Sequence, residues 1–207
     1  MLLTLRILKM KELIEKLKST EHGFRHIIEA GDLILKDASL NHQEFAVQII
    51  NDKAYQIRML ATYLFGHLSV ESSEALNLLE TSIATDHNWR VQEMLAKAFD
   101  YYCQSMGYEK SLPIIKKWID DDNPNIKRAV IEGLRIWTSR PYFTENPDVA
   151  IRLISQNRLH DNEYLRKSIG NSLRDIYKKH SDLVDKEVQN WDPDDKKIIF
   201  IKKLIYK

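Results

Sequence analysis

Residues that break helices are scarce in this chain: 6 glycines and 5 prolines among 207 residues. So few breakers argue for long helices and against a β-sandwich. Cysteine occurs once, at Cys103, so no intramolecular disulfide can form, and a reducing cytoplasm is the expected compartment. Neither sign of charge dominates. The formal net charge is +1, so composition by itself points to no nucleic-acid partner, and the distribution of charge has to decide. Long apolar runs are missing too. The opening "MLLTLRILK" falls far short of the roughly 18 apolar residues of a membrane span and has no small-residue cleavage pattern. It reads as the first part of a packed helix, or as an upstream start before Met10. What remains, 43% hydrophobic and 29% charged residues, is ordinary for a soluble folded chain, long enough for a sizeable core.

Four segments of the sequence align without gaps: "AYQIRMLATYLFGHL" from Ala54, "NWRVQEMLAKAFDYY" from Asn88, "NPNIKRAVIEGLRIW" from Asn123 and "EYLRKSIGNSLRDIY" from Glu163. Their aliphatic anchors are Ile57, Val91, Ile126 and Leu165, spaced about 34, 35 and 39 residues apart. An aspartate leads into each copy: Asp52, Asp86, Asp121 or Asp122, and Asp161. Another apolar-periodic segment precedes each copy, as in "SSEALNLLETSIA" and "EKSLPIIKKWI", and "SDLVDKEVQNW" follows the last. A two-helix unit of this period cannot bury its apolar face alone and must stack on its neighbours. The expected fold is all-α, a curved α-solenoid of HEAT-like antiparallel helix pairs. Residues 1–207 are expected to form a single such domain of about five to six pairs, with the clearest repeats over 52–179. The repeated helices are expected to start near Lys53, Asn88, Pro124 and Asn162 and to line a concave side.

The two positions after each anchor are Arg58-Met59, Gln92-Glu93, Lys127-Arg128 and Arg166-Lys167. About two turns on from Arg128 and Lys167 come Arg135 and Arg174, and "TSRPYF" adds Arg140. Stacking would join these cations into a stripe. The stripe has three readings: a phosphate-tracking surface for DNA or RNA, ordinary inter-repeat ion pairs, or a face for an acidic protein. Two carboxylates interrupt it. Glu93 replaces Met59, Arg128 and Lys167, and Asp175 occupies the register of Tyr101 and Ile136. A carboxylate at an apolar register costs desolvation energy unless it is paired, and Arg128 and Lys167 are the expected partners. Trp89 lies one helical turn before Glu93 on the same side. Trp118 and Trp191 are assigned to packing, and Cys103 to the core. His22 and His26 have the i, i+4 spacing of a metal pair but no third ligand, so no metal is expected. "DDDNPN" caps a helix, with Asn123 as N-cap and Pro124 at the first position.

From Asn88 to Trp191 the chain resembles the HEAT-like DNA alkylation repair family, the AlkC/AlkD-type alkylpurine DNA glycosylases. "NWRVQE" resembles that family's Trp-x-x-x-acid motif, "IKRAVIEGLRIWTSRPYF" its basic helix, and "LRKSIGNSLRDIYKKHSDLV" a block of the AlkC-type branch. The resemblance implies a monofunctional glycosylase without metal or organic cofactor, acting on cationic N-alkylated bases in duplex DNA; closed repeat ends make a monomer the expected state. By position, Glu93 matches the catalytic acid and Asp175 a second acidic residue. Trp89 matches the adjacent indole and Arg128 the basic residue. Trp137 is the second expected substrate-binding aromatic, and Arg128, Arg135, Arg140, Arg166, Lys167 and Arg174 are the expected DNA-binding residues. Several positions depart from the family pattern. The acid is Glu rather than Asp, Asn171 stands where AlkD-type chains have Trp, and "RIWTSRPYF" replaces an "RP-LPW" element. The alternatives are a non-catalytic HEAT module that binds damaged or branched DNA, and a protein-interaction scaffold.

Overall fold

The computed structural model describes Leu2–Lys207, with side chains from Leu8 onward. The packing of the residues before Leu8 therefore lies outside the described part. The described residues form eleven α-helices and no strand. They group into two compact units, Met1–Tyr102 and Cys103–Lys207.

The first unit contains α1 (Leu2–Lys18), α2 (Arg25–Leu35), α3 (His42–Ile49), α4 (Tyr55–Leu68), α5 (Ser73–Thr81) and a 3-10 turn at Ile83–Thr85. It also holds most of α6 (Trp89–Met106). The second unit contains α7 (Leu112–Asp120), α8 (Pro124–Trp137), α9 (Pro147–Ser155), α10 (Glu163–Val188) and α11 (Lys196–Ile205). The four repeated segments are α4, α6, α8 and α10, each starting within two residues of its expected position. The long α10 is broken within its span. His180 sits at φ −138°, ψ 47°, so the fourth repeated helix ends there and "SDLVDKEV" forms a separate segment, as its own apolar pattern suggests.

Local chemistry fixes these starts. In three of the four copies the lead-in aspartate accepts the backbone N–H two residues on: Asp52 from Ala54 at 2.8 Å, Asp86 from Asn88 at 2.8 Å and Asp121 from Asn123 at 2.7 Å. An asparagine then caps the helix itself, with Asn88, Asn123 and Asn162 accepting from Arg90, Asn125 and Leu165. The fourth copy corrects the expectation for Asp161. There His160 accepts the Asn162 N–H through Nδ1 at 3.0 Å, while Asp161 turns to the Lys197 ammonium at 2.5 Å. Burial holds the His160 imidazole below its ordinary 6.5, with nearby cations acting in the same direction, which suits a ring that must accept rather than donate at Nδ1.

The anchors are where the period placed them: Ile57, Val91, Ile126 and Leu165 are all buried. Gly66 on α4 is required by close approach, since a Cβ there would lie 2.7 Å from the Ala98 Cα of α6. Trp118, Trp191 and Cys103 are buried, in line with their assignment to packing. No described helix is long and apolar enough to cross a membrane.

Candidate nucleic-acid interface

The residue immediately after each anchor has one job in all four repeats, and it faces the protein's own backbone. Arg58 Nη1 donates to the carbonyls of Asp52 and Lys53 at 2.9 and 3.1 Å. Gln92 Nε2 donates to the Asp86 carbonyl at 2.8 Å, and Lys127 Nζ to the Ile119 carbonyl at 3.0 Å. Arg166 Nη1 donates to the carbonyls of His160 and Asp161 at 2.6 and 2.8 Å. These acceptors lie five to eight residues upstream, in the turn that enters the helix, or in Lys127's case at the end of the preceding helix. A long donor at this position latches the turn to the helix. Arg58 adds a bidentate pair to Asp86, with Nε at 2.5 Å and Nη2 at 3.2 Å. Arg166, expected in a phosphate stripe, is engaged by the chain's own backbone. Its guanidinium is held by two carbonyls and lies 5.8 Å from the Phe200 ring centroid.

The second position after the anchor varies by environment. Met59 is fully buried, Glu93 is half-buried, Arg128 is buried and Lys167 is exposed. The Arg128 guanidinium lies 4.8 Å from the centroid of the exposed Tyr164 ring and 3.9 Å from the Glu132 carboxylate. Of the expected stripe, Lys167 is the cation that stands out in solvent.

Asp175 is half-exposed, and its register is more open than its apolar counterparts suggested, because Tyr101 and Ile136 are themselves exposed. Its cationic neighbours are Lys178 at 3.0 Å, Arg135 at 3.7 Å and Arg174 at 3.9 Å. Arg128 and Lys167 are not the partners of Asp175. Arg135 also reaches Glu132 at 3.2 Å. On this face, therefore, cations alternate with carboxylates.

Trp89 opens α6 with its indole half-exposed, and Glu93 lies one turn further along the same face. Sequence reasoning missed the residue between them and its neighbours. The Arg90 guanidinium sits 4.5 Å from the Trp89 ring and 5.1 Å from the Tyr55 ring, and Nη2 is 3.3 Å from His22 Nδ1. The signal was available: Tyr55 and Trp89 are both two residues before an anchor, so aromatics at helix starts recur on successive repeats.

Two expected site residues belong to one aromatic cluster. Trp137 is fully buried, stacked on Phe143 at 5.8 Å and tilted against Tyr108 at 5.1 Å. Trp137, expected to bind substrate, thus lies in the core of the second unit. Arg140 donates to the Tyr108 hydroxyl and packs over that ring, so its first role is to close the same aromatic cluster. Among the described residues no group of three or more His, Cys, Asp or Glu is arranged to hold a metal ion.

This array of latched helix pairs, with an indole and a carboxylate one turn apart, has relatives. A family model described as "DNA alkylation repair enzyme" matches residues 31–198. The chain belongs to the DNA alkylation repair enzyme family. It is similar to the crystal structure of AlkD2 from Streptococcus mutans, at 43% identity and a TM-score of 0.89 over 95% of both chains. It is likewise similar to smu.31 from Streptococcus mutans UA159, at 42% identity and a TM-score of 0.86 over 96% of this chain and 98% of that one. Both likenesses place the chain in the AlkD-like HEAT fold. A further relative, the uncharacterized protein YhaZ of Bacillus subtilis, is 29% identical over 90 residues, and the match spans only 25% of that protein. The AlkC-type assignment of the C-terminal half gains no support from these relatives, whose named member is an AlkD2.

Proposed function

We propose that this member of the DNA alkylation repair family hydrolyses the N-glycosidic bond of cationic N-alkylated bases in duplex DNA. The observation that carries the reading is the pairing on α6 of the half-exposed Trp89 indole with the Glu93 carboxylate one turn away. When the C1′–N bond breaks, its electron pair goes to the base. A base that was cationic leaves neutral, so no strong general acid is needed. Positive charge then grows on the sugar, where a fixed carboxylate stabilises it and orients the water that adds to C1′. That water's proton passes to the carboxylate or to solvent. An indole face beside the carboxylate suits a cationic nucleobase.

The experiment is Glu93→Gln, which keeps the size of the side chain and removes its charge. Single-turnover release of 3-methyladenine should fall about a hundredfold or more, with DNA affinity unchanged or slightly raised and melting temperature little changed. A lowered melting temperature without a specific rate defect would instead make Glu93 a structural ion-pair residue. The second reading is a DNA-binding module without catalysis, which needs exposed cations such as Lys167 but no role for Glu93. Wild-type protein that shifts DNA in a salt-dependent way but releases no base would establish that reading in place of the first.

A further inference from the structure

At the C-terminal edge of the second unit a pocket of about 650 Å³ is lined by Arg174, Tyr177, Lys178, Ile205, Tyr206 and Lys207. Every ionised side chain in that lining is a cation. The two tyrosine rings meet edge to face at 5.5 Å and 84°. Their hydroxyls are both directed to Asp185, Tyr206 donating to Oδ1 at 2.8 Å and Tyr177 to Oδ2 at 3.3 Å. With the hydroxyls so engaged, ring surface and Ile205 form the apolar part of the wall. Burial, reinforced by hydrogen bonding to Asp185, pushes the Tyr206 phenol up to about 12 and raises that of Tyr177, so both rings stay neutral at any working pH. Asp175 adjoins the pocket without lining it. Arg174 and Lys178 are its neighbours at 3.9 and 3.0 Å, so two residues belong to both the pocket and the Asp175 cluster.

We infer that this pocket binds one unpaired nucleotide of a DNA strand, its phosphate held by Lys178, Lys207 and Arg174 and its base or sugar laid against the Tyr177 and Tyr206 rings. A phosphodiester supplies acceptors for charge-assisted hydrogen bonds from cations gathered on a concave surface. Aromatic walls beside such cations are the features with which proteins hold single strands, because every base has a face that can stack. A base still paired and stacked in a duplex has no such face to offer, which makes the ligand an unpaired nucleotide. This inference rests on the proposed reading that the protein works on DNA.

The test is titration of the ¹⁵N-labelled full chain with a 5′-phosphorylated oligothymidylate of about five nucleotides, read by amide shifts and by affinity. Shifts should concentrate on Lys178, Tyr206 and Lys207. The double variant Lys178→Glu/Lys207→Glu should keep its melting temperature and lose about tenfold or more in affinity, with a shallower salt dependence. Tyr206→Phe keeps the ring and should keep most of the binding. Shifts confined to other surfaces, or a double variant that binds like wild type, would overturn the assignment. Base release from methylated duplex, measured in parallel, reports separately on the glycosylase reading. Release lost while the oligonucleotide still binds here counts against that reading alone, and release without binding at these residues counts against the pocket alone.

Discussion

Arg58 and Asp86 give the sharpest test of the latch. The two side chains are 13% and 7% exposed, so the pair is largely shut off from water and little screened by salt. Arg58→Ala removes two bonds to Asp86 and two to the carbonyls of Asp52 and Lys53. It also leaves the Asp86 carboxylate without its counter-charge, although Asp86 still accepts from the Asn88 N–H at 2.8 Å. Losing one partner of a buried pair costs about 3–5 kcal/mol. The surviving Asn88 bond and the exposure of Lys53 to water place Arg58→Ala near the lower end, at about 3 kcal/mol. For a chain of this size each kcal/mol moves the midpoint by roughly 2–4 °C, so calorimetry should show a fall of about 10 °C. Asp86→Ala removes the capping bond as well, and the double-mutant cycle subtracts it. The coupling between the two positions should exceed about 1.5 kcal/mol and persist in high salt. Additivity within about 0.5 kcal/mol would refute the argument, because two groups that share no interaction behave that way.

Three further outcomes follow from the packing. Gly31→Ala would set a Cβ 2.2 Å from the Tyr63 ring, which is pinned by a 2.6 Å bond to Asp32 and by the His67 ring at 4.5 Å, so unfolding in urea should show a loss of about 1–3 kcal/mol. Trp137→Ala should cost about 3–5 kcal/mol of stability, and Trp137→Phe less. A Trp137→Phe variant that keeps wild-type stability but loses DNA affinity would return this residue to the ligand-binding surface. Burial holds the His67 imidazole below its ordinary 6.5, so the unfolded chain takes up that proton first. Stability from this group should be present above pH 6.5 and decline as the pH falls through the window below it. In His67→Gln the pH dependence of the melting temperature over that window should be shallower.

Much of the fold was legible in the sequence because its determinants are local and repeated. The anchors, the Asn123 cap and the lead-in aspartates of the first three copies depend on residues within a single turn, and all of them stand as read. The site was less legible, because neighbouring helical positions differ by about 100° and long side chains fold back along their helix. Lys127 and Arg128 look alike in sequence, yet one reaches the Ile119 carbonyl and the other lies against Tyr164. The neighbours of Asp175 come from within its own helix and from Arg135, two turns beyond the residue that the repeat alignment proposed. The interior position of Trp137 depends on Tyr108 and Phe143, which lie in connecting segments that no repeat pattern covers.

The second repeat carries a glutamine where its counterparts carry arginine or lysine, and it still reaches the same kind of carbonyl. In that repeat reach and a donor hydrogen suffice, whereas Arg58 adds a charge pair with Asp86. Arg166 is held by carbonyls, so Arg166→Gln removes a positive charge while keeping a donor for the same turn. Electrostatic attraction for a polyanion and the rigidity of the scaffold thus become separately adjustable.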